Sequence, residues 1–173
     1  MTAKDEVTVT EFIPHALDCG GGTLAISPIP GRTRHYATDW DRLMTWGPSR
    51  VISMTTQAEL DRKGAGSLGC DLVAVGIAWD HLPIPDFGVP GADVLARWPF
   101  VAAMARADLG QGGRVLVHCF GGCGRSGMVA LRLMIEAGEP ADLALSRLRQ
   151  VRPCAVETDA QMRWATGGPV SCP

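Results

Sequence analysis

Residues 114–126 read RVLVHCFGGCGRS, and this stretch constrains the fold more than any other. Val115, Leu116 and Val117 are apolar at consecutive rather than alternate positions, the pattern of a strand buried on both faces of a sheet. Glycines at 121, 122 and 124 follow at once, and a helical pattern over Arg125–Ala137 then stops at Gly138. A strand, a glycine turn and a helix in that order aim the turn's backbone N–H groups into one concavity. A strand buried on both faces also needs helices on either side. The expectation is therefore an α/β fold with one parallel-rich sheet covered by helices.

The other elements are read in the same way. Short β-rich runs lie at Val7–Phe12, Thr23–Ser27, Arg50–Met54, Leu72–Ile77 and Arg114–His118. Helical patterns cover Thr38–Trp46, Thr56–Gly64, Gly91–Leu109, Pro140–Val151 and Thr158–Thr166. Thr56-x-x-Glu59 opens the second of these as a capping box, and Pro99 should kink or split the third. Leu143, Leu148 and Val151 mark a helical face of the fourth. At 173 residues the chain suits one domain, 1–173, with residues 167–173 as a loose tail. A net charge of −2 gives no bulk reason to expect nucleic acid or an anionic membrane as partner. With no secretion-signal pattern and no long apolar run, a cytoplasmic protein is expected. The six cysteines are scattered, so most should be free thiols. No Cys-x-x-Cys pair accompanies His118, Cys119 and Cys123, and no metal site is expected.

The loop has a definite chemistry. A thiol at a helix N-terminus, amid inward N–H groups and beside a cation, is activated as a nucleophile. Here Cys119 is the thiol, Phe120–Gly124 supplies N–H groups and Arg125 is the cation. A guanidinium can grip two oxygens of a tetrahedral anion at once. Phe120, Gly121, Gly122, Cys123, Gly124 and Arg125 are thus the expected phosphate-binding residues. Ser126 could hydrogen-bond the sulfur and help it leave, whereas His118 braces the loop.

His118-Cys119-x-x-Gly122-x-x-Arg125-Ser126 resembles the signature loop of the cysteine-based protein tyrosine phosphatase superfamily. His81–Pro90, reading HLPIPDFGVP, is similar to the acid loop of the dual-specificity members, with Asp86 lying 33 positions before Cys119. Together the two loops most resemble the kinase-associated phosphatase, or cyclin-dependent kinase inhibitor 3, family. The resemblance runs over about residues 20–165. It implies a central mostly parallel sheet of four or five strands flanked by helices, and no cofactor. Hydrolysis of phosphotyrosine and phosphoserine/threonine esters through a phosphocysteine is the implied activity, on a phosphorylated protein or small phosphate ester, by a monomer.

Within that frame Asp86 is the general acid, protonating the leaving oxygen as the P–O bond breaks. Its bland alternative is a turn residue, since Pro and Gly surround it. Asp80 is the nearest competitor, and Asp93 belongs to the first turn of a helix. Gln161 could orient the hydrolytic water, but Thr158-x-x-Gln161 is equally a capping box. Cys123 either fills the loop or forms a reversible disulfide with Cys119. Arg32, Arg34, His35 and Tyr36 either line the pocket rim or form a solvated loop. Two other functions remain open: a catalytically weak, phosphate-binding pseudophosphatase or adaptor, and a sulfur-transfer or arsenate-reducing enzyme. The latter chemistries have no use for Asp86.

Overall fold

A computed structural model describes residues 11–167. It contains β1 (His15–Cys19), β2 (Gly22–Ser27), α1 (Tyr36–Trp46), β3 (Arg50–Ser53), α2 (Gln57–Arg62), α3 (Leu68–Ala74) and β4 (Ala78–His81). After these come α4 (Ala92–Gly110), β5 (Arg114–His118), α5 (Gly124–Glu136), α6 (Ala141–Val151) and α7 (Asp159–Ala165). The strands form one five-stranded sheet in the order β1-β2-β5-β3-β4, parallel except where β1 pairs with β2. The α/β class and the mostly parallel sheet are as the sequence implied.

β5 is central and its apolar run is buried on both faces. Val115 and Val117 join Leu24, Ile26 and Ile52 in a core closed by α4 and α5. Leu116 points the other way, into a second core with Ala25, Val51, Leu43 of α1 and Leu68 and Leu72 of α3. Each fully buried Val or Leu side chain contributes about 1.5–3 kcal/mol, so these two layers fix which residues end each strand. In register, Ser27, His118 and Ser53 stand side by side, and His81 pairs with Ser53. Four parallel strands therefore finish level, and their following loops emerge together, where open α/β sheets hold their ligands.

Several expectations need correction. The run Leu72–Ile77 is not a strand: Leu68–Ala74 is α3, and the strand follows at Ala78–His81. Leu68, Gly69 and Leu72 are buried at helical spacing, which outweighs the β-branched residues after them. β1 at His15–Cys19 was not anticipated; its short HALDC pattern is stabilised by pairing with β2. The proposed strand Val7–Phe12 lies largely outside the described residues, and residues 11–14 are not strand. Pro99 does not split α4, which runs unbroken for 19 residues. Pro99 is exposed, so the carbonyl it leaves without an amide partner is on the water side. On α6 the buried residues are Ala144 and Leu148, while Leu143 is exposed. Both capping boxes form, Thr56 with Glu59 and Thr158 with Gln161. The tail beyond Gly167 lies outside the described residues.

Candidate active site

β5 carries Cys119 to the level end of the sheet, and α5 starts five residues later at Gly124. The turn between them depends on Gly122, whose φ of 71° is left-handed. A Cβ there would lie 2.5 Å from the carbonyl carbon of Ser27 and 2.6 Å from the nitrogen of Pro28. The loop thus packs directly on the end of β2. Cys119 is almost fully buried, with Sγ 3.2 Å from Ser126 Oγ. Behind it His118 is wholly buried, its Nε2 2.6 Å from Ser53 Oγ, which also accepts a hydrogen bond from Trp79 Nε1. Burial pushes the His118 imidazole down to about 4, against a smaller opposing pull from the Cys119 backbone. The ring is therefore neutral at ordinary pH, a brace rather than a charge.

Arg125 is 1% exposed and held on three sides. Its Nη1 and Nη2 donate to Glu59 Oε2 and Oε1 at 2.9 and 2.8 Å, and Nη1 also donates to the Ile84 carbonyl at 2.8 Å. Asp86 Oδ1 lies 3.3 Å from Nη2. Burial is the largest single influence and disfavours the guanidinium charge, but the Glu59 hydrogen bonds and the surrounding negative charge together outweigh it, and the net shift is upward. For Glu59 the balance is similar: burial, the largest single influence, raises its pKa, but Arg125 and the Thr56 hydrogen bonds together outweigh it and the carboxyl ends below its usual range. Within the Arg125 guanidinium, Nε alone is buried without a hydrogen-bond partner, one donor kept free on a side chain otherwise engaged.

Asp86 sits on the β4–α4 connection. The root of this loop is fixed by hydrogen bonds from Leu82 N to Ser53 O and Ile84 N to Met54 O, with Leu82 and Ile84 fully buried. Its tip is open, for Asp86 and Phe87 are exposed and Phe87 takes a positive φ. Gln161 is buried and ties this tip to α7, donating from Nε2 to Gly88 O at 3.2 Å. Its Oε1 accepts from Glu157 N and Thr158 N. The amide is thus spent on the cap and the acid loop and does not line the cleft. Asp80 is paired with Arg50, which also holds Asp108, and Asp93 lies in the first turn of α4.

A cleft of about 170 Å³ opens above the thiol. Cys119, Phe120, Gly121, Cys123, Gly124 and Arg125 form its floor, and Asp86, Phe87, Glu157 and Arg32 its walls. Of the four residues after the Pro-Gly turn, only Arg32 reaches it. Tyr36 instead donates to Asp71, and Arg34 and His35 are exposed. Glu157 had not been anticipated; burial, with the neighbouring Asp86 charge adding to it, raises its pKa. Also unforeseen was a clamp on the outer side of the loop. Arg152 donates from Nε to Gly122 O and from Nη2 to Gly121 O, and Val156 N donates to Cys123 O. Cys123 is joined to Cys154 by a disulfide, while Cys119, Cys70 and Cys19 are free. Pairing of Cys123 with Cys119 is thus not what forms. Cys154 approaches from outside the cradle and leaves the Cys119 thiol on its floor.

A buried thiol and a clamped arginine bracketing a strand–loop–helix turn define the class of cysteine-based phosphatases. Residues 27–139 match the family described as Tc-R-P, the DSP-PTPase phosphatase of polymorphic toxin systems, and the chain belongs to that family of dual-specificity type phosphatases. Among individual proteins it is similar to mouse cyclin-dependent kinase inhibitor 3, 31% identical over 133 residues. That match spans 76% of this chain but only 62% of the mouse protein. In structure it is similar to kinase associated phosphatase with its catalytic-site cysteine replaced by serine (TM-score 0.77, 24% identity, 91% and 93% of the two chains). It is also similar to Tk-PTP in the active form (TM-score 0.63, 29% identity, 87% and 92%).

Proposed function

We propose that this chain hydrolyses phosphate monoesters, phosphotyrosine and phosphoserine or phosphothreonine in proteins, through a phosphocysteine at Cys119. The observation that carries the reading is the unpartnered Arg125 Nε beside a buried thiol at the floor of an open cleft. In the first step Cys119 Sγ attacks phosphorus and the P–O bond to the leaving group breaks. Asp86 gives its proton to the departing oxygen. Arg125 and the loop N–H groups hold the equatorial oxygens, where charge accumulates. Water then attacks the phosphocysteine, Asp86 takes its proton, and the S–P bond breaks with Ser126 Oγ hydrogen-bonding the departing sulfur. His118 supports the thiol from behind, and Gln161 acts through Gly88 on the position of Asp86. No cofactor or metal enters these steps. A cytoplasmic monomer belongs to the same proposal; among the described residues no helix is long and apolar enough to cross a membrane.

Cys119→Ser should abolish turnover of p-nitrophenyl phosphate while phosphate analogues still bind. Undiminished turnover by that variant would overturn the mechanism. Asp86→Ala should slow esters of poor leaving groups more than those of good ones, and equal losses on both would remove Asp86 as the acid.

A further inference from the structure

The walls of the cleft differ in sign. Asp86 and Glu157 bring carboxyl groups to one side, Arg32 brings a guanidinium to the other, and behind Arg32 the basic side chains continue. The half-buried ring of Phe120 has the Arg32 guanidinium 5.4 Å from its centroid, the Arg62 guanidinium at 5.6 Å and Lys63 Nζ at 5.1 Å. Phe120 lines the cleft, whereas Arg62 and Lys63 touch its ring without lining the cleft themselves. Three like charges around one ring repel, and the ring's attraction for each is only about 0.5–1 kcal/mol at an exposed site. Among the described residues none of the three forms an ion pair with a carboxylate. Instead Lys63 Nζ donates to the Arg32 carbonyl at 3.3 Å, and Arg32 Nη1 reaches the Phe120 carbonyl at 3.5 Å. Arg152, committed to the loop carbonyls, adds a fourth positive charge nearby.

We propose that Arg32, Arg62 and Lys63 form, around Phe120, a subsite for a second anionic group on a phosphoprotein substrate. That group is a carboxylate or a second phosphate on a residue neighbouring the phosphorylated one. The assignment rests on the phosphatase reading above. The floor is built for one phosphate, since residues 118–126 hold a single cation, Arg125, already paired with Glu59. A second phosphate on the same small ring would enter the cleft beside the first and find no further cation on that floor. A side chain one or two residues along an extended peptide, at about 3.3 Å per residue, reaches out past Phe120 to the rim instead.

The test uses phosphotyrosine peptides of one length whose neighbours are neutral, acidic or themselves phosphorylated, with soluble inositol polyphosphates alongside. Acidic or phosphorylated neighbours should raise kcat/KM about tenfold over the neutral peptide at low salt, and the advantage should shrink as salt rises. In the double variant Arg62→Gln, Lys63→Gln the ratio should fall toward one. Arg62 is exposed and Lys63 partly so, and the fold tolerates change there. Equal kcat/KM for acidic and neutral peptides would overturn the proposal, as would an unchanged ratio in the double variant. Preference for an inositol polyphosphate over every peptide would overturn the protein substrate. If the wild-type chain turns over neither p-nitrophenyl phosphate nor any peptide, the phosphatase reading fails. Peptide binding by fluorescence anisotropy then decides the subsite: tighter binding of acidic peptides supports it, and equal affinities overturn it.

Discussion

His118 makes a strong pH prediction. It is fully buried, Nε2 meets Ser53 Oγ, and Nδ1 makes no hydrogen bond of good geometry. In the unfolded chain the imidazole takes a proton near 6.5, while in the fold burial delays this until about 4. Between those values the unfolded state binds the extra proton, so the free energy of unfolding falls as pH falls through the window and levels off below about 4. At about 1.36 kcal/mol per unit of pKa, the whole drop is about 3 kcal/mol. Urea denaturation of wild type and His118→Gln at intervals from pH 7 to pH 4 measures it. Burial also lowers His15, and Glu59 and Glu157 shift in opposite directions, but these groups are common to both proteins and cancel in the comparison. The wild-type curve should be steeper than that of the variant by nearly one proton. As an independent readout, the ring proton resonances of His118 should stay unshifted until pH nears 4. Parallel stability curves, or a resonance that titrates near 6.5, would refute the assignment of a neutral, buried brace.

Three further outcomes follow from the site's construction. Glu59→Gln keeps the capping box but removes the charge opposite Arg125, so unfolding free energy should drop by about 2–3 kcal/mol and kcat/KM on p-nitrophenyl phosphate by at least about tenfold; wild-type values in both assays would show that Glu59 does not position the guanidinium. Gly122→Ala meets backbone at 2.5 Å in a left-handed conformation, so the loop must shift and turnover should fall on the order of a hundredfold; unaltered turnover would contradict the close packing on Ser27. Cys154→Ser opens a covalent loop spanning 31 positions and should lower stability by about 3 kcal/mol without reductant, the difference vanishing when reductant is added; equal stability in the absence of reductant would mean that the bond contributes nothing.

What was legible in the chain was whatever a local pattern encodes. The consecutive apolar residues of β5 announced a central strand, and the spacing of Cys119, Gly122 and Arg125 described an anion cradle, because strand, turn and helix are contiguous there. Capping boxes at Thr56 and Thr158 are also local, and both formed. The misreadings arose where long-range packing decides. Leu72–Ile77 has β-branched residues, yet burial of Leu68 and Leu72 makes its first three residues the last turn of α3, with Val75 and Gly76 in the turn that follows. β1 is too short to declare itself without β2 beside it. Glu59 was recognised only as a helix cap, although a buried arginine in the signature had to find an anion somewhere and a carboxylate was its cheapest partner.

The residues least visible in the sequence share one origin. Arg152, Cys154, Val156 and Glu157 all belong to the connection between α6 and α7, which carries no motif of its own. An anion cradle has two sides, however. Its N–H groups face inward, and in a loop this tight the carbonyls must face outward, where they need donors of their own. Arg152 supplies two of these, to Gly121 and Gly122, and Val156 N a third, to Cys123. Gly127 has to be small for the same reason, since a Cβ there would stand 2.6 Å from the nitrogen of Val156. Close approach of the two segments then brings Cys154 within bonding distance of Cys123, at a Cα separation of 5.2 Å. The second cysteine of the loop, which no requirement of the cradle's inner face explains, is accounted for by its outer one.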